Sequence, residues 1–488
     1  MGTEKTILKM LDDFSVFGDK VAIKHFDDGI LKEVIYSKLK KDILKFTAVL
    51  ENVETNSRQV AILGSNSYAW LVSFFSIINA GFIVIPVGVL KHEVETILKN
   101  SSCTLITYSK SSRGILEKTK QNFPNSLGYV CVEEALESSL IDNQLPRKEI
   151  SECAVIYYTS GSHGKPKGVM LSQTNIMLSV NAVISNLDSF KSMLALLPLY
   201  HIGGLAVGIL PALRVGGTAF IGDEASDFLN DLKLFRPDAV FLVPLLVEKL
   251  LKEIKKGSVA TLPKQVISGG AHLNPALIKE FKEFGIDLLN AYGLTECGPV
   301  VSFSNSRNIK VGSAGKIVAG CQVKLSEGEI LVKGPNVMLG YYNDQAETDR
   351  TVVDGWLKTG DLGHLDSDGF VHLTGRKKNV IVLKNGEKVA PEELEMMINS
   401  ILYVKECVVK AVRKDNENIA LAADVVLDDV YLDEKEYDIS LIFSDIKELN
   451  KRLPYGQKIR KVNICDRFEK TNLLKIKRDV CDEFVSEG

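Results

Sequence analysis

The sequence predicts an α/β protein: a large N-terminal domain of two α/β subdomains plus a small β-barrel, followed by a small mobile α+β C-terminal domain. A chain of 488 residues is too long for one ordinary core, because domains usually run about 100–200 residues. Over roughly the first 290 residues, short apolar runs alternate with amphipathic stretches, as parallel βαβ units do. After Pro299 the texture changes to short alternating runs punctuated by glycine.

The strand-like runs are 59–63 (QVAIL), 82–86, 104–107, 154–158, 192–197, 218–221, 239–243 and 265–268. Between them lie helical patterns at 229–235, 245–255 and 275–284. The last two repeat apolar residues every three or four positions, the spacing of one helix face. Pro275 sits where a helix begins, a position proline tolerates. The run at 70–90 (WLVSFFSIINAGFIVIPVGVL) has the length of a membrane span. Asn79, Gly81 and Pro86 divide it, so a buried helix, a turn at Ala80-Gly81 and a buried strand are expected, with no transmembrane segment. Alternation and the turn residues Ser367, Asp368 and Gly369 imply a small antiparallel barrel or sheet over 300–375. The α/β subdomains then end at about 299, and 1–375 forms the N-terminal domain. A charged run, RKKN, opens the C-terminal α+β domain, 379–488.

Composition narrows the function classes. Hydrophobic residues make up 45% and charged residues 25%, so the chain folds rather than remaining disordered. With 59 basic and 62 acidic residues the net charge is −3, which offers no footprint for nucleic acid. Eight scattered cysteines with no CxxC spacing argue against a zinc site or redox pair. A disulfide scaffold is not expected in so long a chain, and a reducing cytoplasm suits it. The acidic N-terminal segment lacks the apolar stretch of a signal peptide.

The most informative segment is 157–171 (YYTSGSHGKPKGVML). It combines hydroxyls at Thr159, Ser160 and Ser162, glycines at 161, 164 and 168, and the lysines Lys165 and Lys167. Small residues let backbone N–H groups approach phosphate oxygens, hydroxyls add donors, and lysines add charge. The spacing is not that of a Walker loop, since Gly161 stands three residues before Gly164-Lys165 and Pro166 follows. Any Ser/Gly/Lys loop can be a solvated linker. The density of phosphate-binding groups behind a strand favours a phosphate cradle.

This segment resembles the signature loop of the adenylate-forming superfamily, which includes acyl-CoA synthetases, nonribosomal adenylation domains and luciferases. Six further segments follow in that family's order: 197–205 (LPLYHIGGL), 268–271 (SGGA), 290–298 (NAYGLTECG), 355–363 (GWLKTGDLG), 375–395 (GRKKNVIVLKNGEKVAPEELE) and 468–478 (FEKTNLLKIKR). Fatty-acyl-CoA ligases of bacteria resemble it most. The resemblance implies that ATP, with Mg2+, activates a small-molecule carboxylic acid as acyl-AMP, which then passes to coenzyme A. It implies that Thr159, Ser160, Gly161, Ser162, His163, Gly164, Lys165 and Lys167 hold phosphates. Gly269, Gly270 and Ala271 would form a flat wall beside adenine, with Asn290, Ala291, Tyr292 and Gly293 facing it. Thr295 would contact phosphate, Glu296 magnesium, and Asp361 and Arg376 the ribose. Lys475 would carry adenylation, and His201 would gate the acyl pocket. Residues 376–378 would form a hinge at Lys378, about which the small domain rotates. The loop at Gly386 would then line the thiol tunnel. Taken alone, a Thr-Glu pair more often starts a helix, and a C-terminal lysine is usually a solvated charge.

Two positions depart from the family pattern: His163 stands where threonine is usual, and Leu474 where glycine is widespread. No acid lies in 199–210, so an α-ammonium would be left unpaired there. Small and apolar residues from Ile202 to Val207 suit a fatty or aryl acid, with Gly203 and Gly204 leaving room for its chain. Carrier-protein loading is an alternative to coenzyme A. A nucleotide-binding protein without catalysis is another, resting on His163. A monomer or homodimer is expected.

Overall fold

The computed structural model describes residues 6–27, 29–121, 127–138, 151–159, 166–222, 228–259, 261–383, 386–401, 403–414, 418–428, 432, 438–470, 476 and 478. The longest apolar run divides as its asparagine, glycine and proline imply. A helix spans Tyr68–Asn79 and is buried from Ala69 to Asn79. The hydroxyl of Ser67 caps it by accepting from Trp70 N at 3.1 Å. Gly81 turns the chain at φ 80°, where glycine alone is unstrained, and the strand Ile83–Val87 follows, buried at every position. Among the described residues no helix is long and apolar enough to cross a membrane.

That strand lies inside a seven-stranded sheet. In spatial order its strands are Gly340–Tyr341, Lys167–Leu171, Val155–Thr159, Ile83–Val87, Gln59–Leu63, Leu105–Tyr108 and Gly128–Cys131. Pairing is parallel except around Lys167–Leu171, which is antiparallel to both neighbours. Val60, Ile62 and Val84 point into one core, while Ala61, Leu63 and Ile85 point into another on the opposite face. Strands covered on both faces need continuous apolar runs, and that is why QVAIL reads as it does.

A nine-stranded sheet shares the first of these cores through Leu194, Val240 and Ile267. Its order is Lys316–Ile317, Val300–Phe303, Asp287–Gly293, Gln265–Gly269, Ala239–Leu242, Ser192–Ala195, Thr218–Ile221, Val21–Asp27 and Ile30–Ile35. The strands from Asp287–Gly293 through Val21–Asp27 are parallel, and both edges of the sheet are antiparallel. The helices Pro244–Lys255 and Pro275–Glu283 start on their prolines.

The stretch expected to be barrel-like, 300–375, divides differently. Val300–Phe303 and Lys316–Ile317 extend the nine-stranded sheet, because VVSF is buried throughout rather than alternating. Gly340–Tyr341 returns to the seven-stranded sheet. What remains is a five-stranded antiparallel sheet of Gln322–Ser326, Glu329–Lys333, Trp356–Leu365 and Val352–Val353, with Val371–Arg376 also on Trp356–Leu365. Beyond it a separate core gathers Leu394, Ile398, Val409, Leu421, Val425, Ile442 and Ile446. These come from the helix Pro391–Asn399, the strands Val404–Lys414 and Asn418–Leu427, and the helix Leu441–Arg452. The strand Ile459–Ile464 completes that sheet.

Asn66 ties the two large sheets together at the end of Gln59–Leu63. Its side-chain oxygen accepts from Leu199 N at 2.8 Å and its amide donates to Leu197 O at 3.2 Å. Asn66→Ala leaves both backbone groups short of a partner, at a cost of about 1–3 kcal/mol. A lowered urea midpoint with unchanged slope is the expected result, and an unchanged midpoint would refute the tether.

Candidate active site

Open parallel sheets bind ligands beyond the carboxyl ends of their strands. Two neighbouring strands of the nine-stranded sheet, Gln265–Gly269 and Asp287–Gly293, bring the residues expected beside adenine there, with Gly269 opposite Ala291. A Cβ on Gly269 would sit 2.9 Å from the Ala291 carbonyl oxygen and 3.4 Å from the Phe241 ring. Gly270 has φ 85° and open space where its Cβ would be. Ala271 is exposed beside it. The surface is therefore flat, as adenine packing needs. Asn290 instead holds its strand against its neighbours. Its amide donates to Ser313 O at 3.0 Å, and its carbonyl accepts from Ser304 N at 2.8 Å.

Tyr292 leads from that wall to the carboxylate of Asp361. Its hydroxyl donates to Asp361 Oδ2 at 2.9 Å, while Arg376 Nε lies 2.8 Å from Asp361 Oδ1. Asp361 and Arg376 face each other on paired strands. Asp361 is only 4% exposed, whereas the Arg376 side chain is half-exposed. Burial pushes the Tyr292 hydroxyl well above its ordinary pKa, and the carboxylate beside it adds to the shift, so it stays a donor.

Gly293 closes a turn that a side chain would block, since its Cβ would fall 1.8 Å from the Pro299 carbonyl oxygen. Within that turn Thr295–Cys297 forms one turn of 3-10 helix, ended by Gly298 at φ 66°. Thr295 and Glu296 are half-buried there. The backbone carbonyl of Glu296 accepts from Met338 N at 2.8 Å, and its Oε1 accepts from the Tyr341 hydroxyl at 3.0 Å. One oxygen so engaged leaves a carboxylate that fits magnesium, which takes one or two carboxylates and completes its shell with substrate phosphates and water.

Of the expected phosphate loop, Thr159 ends one strand and pairs with Lys167 on the next. Lys167 forms an ion pair with Glu347 and lies 5.2 Å above the Tyr341 ring. That ammonium, through its hydrogen bond, holds the Glu347 carboxyl below its usual pKa. Ser160, Gly161, Ser162, His163, Gly164 and Lys165 lie outside the described residues, as do Leu474 and Lys475. Lys378 is exposed on a short turn, Lys377–Asn379, beside the 2.7 Å Lys377–Glu329 pair. Gly386 has φ 79°.

His201 packs on Tyr200 with ring centroids 4.8 Å apart. It precedes a buried π-helical segment, Gly204–Ile209. Here the structure corrects one expectation. Gly203 and Gly204 do not leave space for a chain. A Cβ on Gly204 would meet Pro198 O at 2.4 Å, and one on Gly203 would meet the Phe241 ring at 3.1 Å. Their missing side chains are required by the protein's own close packing. Tyr341 and Glu347, by contrast, carried no sequence signal. Each belongs to an ordinary polar stretch, and only the fold brings them to Glu296 and Lys167.

The family described as AMP-binding enzyme matches residues 12–342, and its C-terminal domain, AMP-binding enzyme C-terminal domain, matches 378–483. The chain belongs to this adenylate-forming family of AMP-binding enzymes. It is similar to an indoleacetate–CoA ligase of Aromatoleum aromaticum, at 30% identity over 68% of this chain and 67% of that protein. A 2-succinylbenzoate–CoA ligase of Listeria monocytogenes is 31% identical over 69% and 71%. A long-chain-fatty-acid–CoA ligase of Mycobacterium bovis is 24% identical over 96% and 94%. Among solved structures, an anthranilate CoA ligase in complex with anthranoyl-AMP shares the fold at TM-score 0.86 and 22% identity, covering 97% of this chain and 96% of that one.

The tight turn at Gly293 generates a prediction. Gly293→Ala must displace the backbone at Pro299 and with it Thr295 and Glu296. A shift of about 1 Å can cost about 100-fold in rate, so ATP–pyrophosphate exchange should fall by about that factor. Wild-type exchange in this variant would show that the turn does not position the site.

Proposed function

We propose that this chain activates a fatty or aryl carboxylic acid with ATP and passes the acyl group to coenzyme A. The chain is an AMP-forming acid–thiol ligase. The observation that carries this reading is the buried Asp361 carboxylate, held by Tyr292 and Arg376 beside a side-chain-free strand end. It offers a polar anchor for a ribose next to a flat seat for a base. In the first half-reaction a carboxylate oxygen attacks the α-phosphorus, a new O–P bond forms, and pyrophosphate leaves. In the second the thiol sulfur attacks the acyl carbonyl, the thiol proton is lost, and AMP departs. Charge builds on phosphate oxygens in the first step, so catalysis is positioning plus electrostatic stabilisation. Magnesium, when bound, would neutralise part of that charge.

In this reading Glu296 holds the metal, Thr295 contacts phosphate, and Thr159, Lys167 and residues 160–165 cradle the leaving pyrophosphate. Lys475 reaches the acid and α-phosphate, His201 borders the acyl group, and Lys378 is the hinge between half-reactions. Aryl- and fatty-acid ligases both occur among the relatives, which supports the two substrate classes equally.

A panel of acids, ATP and magnesium tests the reading through pyrophosphate release, followed by addition of coenzyme A. Acyl-CoA is the expected product. Adenylate discharged only by a carrier protein would redirect the second half-reaction, and silence with every acid would overturn the assignment. Lys475→Ala should lose roughly 10²–10³-fold in adenylation by removing one transition-state contact, while thiolation of supplied adenylate survives. Equal loss in both would contradict that division. His163 replaces a hydroxyl with an imidazole that donates one hydrogen bond and adds charge when protonated. His163→Thr should therefore speed pyrophosphate release and flatten its pH profile; an unchanged rate and profile would remove His163 from phosphate handling.

A further inference from the structure

We infer that Tyr341 is a positioning residue for the metal-holding carboxylate: its hydroxyl fixes Glu296, and its ring and backbone couple that carboxylate to the strand leaving the phosphate loop. The inference rests on the reading of Glu296 as the magnesium ligand.

Glu296 needs such support. It sits on a single turn of 3-10 helix, and its long side chain has several torsions to fix. A metal with one protein carboxylate depends on that carboxylate's orientation, and the groups bonded to a ligand set both its geometry and its affinity. Tyr341 is the described partner that meets this need, with its hydroxyl 3.0 Å from Glu296 Oε1. It is 6% exposed, so its hydroxyl is buried against that carboxylate.

Tyr341 is itself held from three sides. Its backbone pairs with Val169 on Lys167–Leu171, one residue after Gly340 pairs with Met170. Its N–H donates to Thr348 Oγ1 at 2.8 Å. Above its ring lies the Lys167 ammonium, which Glu347 also holds. A cation over an aromatic face is attracted by the ring quadrupole. Three residues earlier, Met338 N bonds the Glu296 backbone carbonyl at 2.8 Å. The segment from Met338 to Thr348 thus grips both the backbone and the carboxylate of Glu296 while forming the edge strand beside Lys167. A shift of the phosphate loop's exit strand would move the metal carboxylate with it.

Manganese binding to the full-length protein with ATP and no acid, followed by electron paramagnetic resonance, tests this without turnover. Tyr341→Phe keeps the ring under Lys167 and removes only the hydroxyl. Loss of such a supporting hydrogen bond typically costs about 10–100-fold in metal affinity, so manganese should bind that much more weakly. Metal-free ATP affinity should stay at its wild-type value. Glu296→Gln should also weaken manganese binding, and adding Tyr341→Phe to it should cause no further loss, because the hydroxyl acts through that carboxylate. Wild-type manganese affinity in Tyr341→Phe, with Glu296→Gln impaired, would overturn the role of Tyr341 alone. So would an additive loss in the double variant. Wild-type affinity in Glu296→Gln would overturn the metal reading and this inference with it.

Discussion

One buried carboxylate joins the parts of this protein that must act together. Asp361 receives Tyr292 from the nine-stranded sheet and Arg376 from the last strand before the C-terminal domain, while itself belonging to the five-stranded sheet. A charge so enclosed is stable only with partners in place, and removing one from a buried pair commonly costs several kcal/mol. The proposed nucleotide seat is therefore built from the same contacts that dock the small sheet on the large one. Binding geometry and domain packing share a single set of bonds.

Glu296 repeats the arrangement just past the end of the Asp287–Gly293 strand. Asp361 and Glu296 each accept from a buried tyrosine hydroxyl, Tyr292 and Tyr341 respectively. A phenol held far above its ordinary pKa is a donor that neither competes for a metal nor carries charge. Each carboxylate keeps its own charge for the ligand while losing its freedom to rotate. Lys167, at the start of the Lys167–Leu171 strand, meets the second pair through the Tyr341 ring and Glu347. Two acids that would hold opposite ends of one nucleotide are thus each fixed by a tyrosine hydroxyl, with Arg376 adding its charge at Asp361.

Much of this was legible in the sequence, and the failures have physical causes. Gln59–Leu63 and Thr218–Ile221 were bounded correctly because buried parallel strands must be apolar on both faces. The 70–90 run divided correctly because Gly81 and Pro86 forbid a continuous helix there. The stretch from Val300 was misplaced, since a short apolar run at a sheet edge has the same texture as a barrel strand. The roles of Gly203 and Gly204 were inverted because absence of a side chain does not reveal what occupies the space. Resemblance supplied the order of site residues, but it marked neither Tyr341 nor Glu347. Their partners lie 45 and 180 residues away in the chain, and local pattern carries no record of such contacts.

The π-helical turn at Gly204–Ile209 has a consequence for how the enzyme's neighbours in sequence space could differ from it. Such a turn amounts to one residue more than an α-helix would use. Deleting a single residue there would let the segment relax to an ordinary helix, rotating everything on one side of it by about 100° relative to the other. Ile202, Leu205 and His201 would then present new edges while the sheet behind them stayed fixed. A change in length, rather than in side-chain type, would be the shortest route to a different surface around His201.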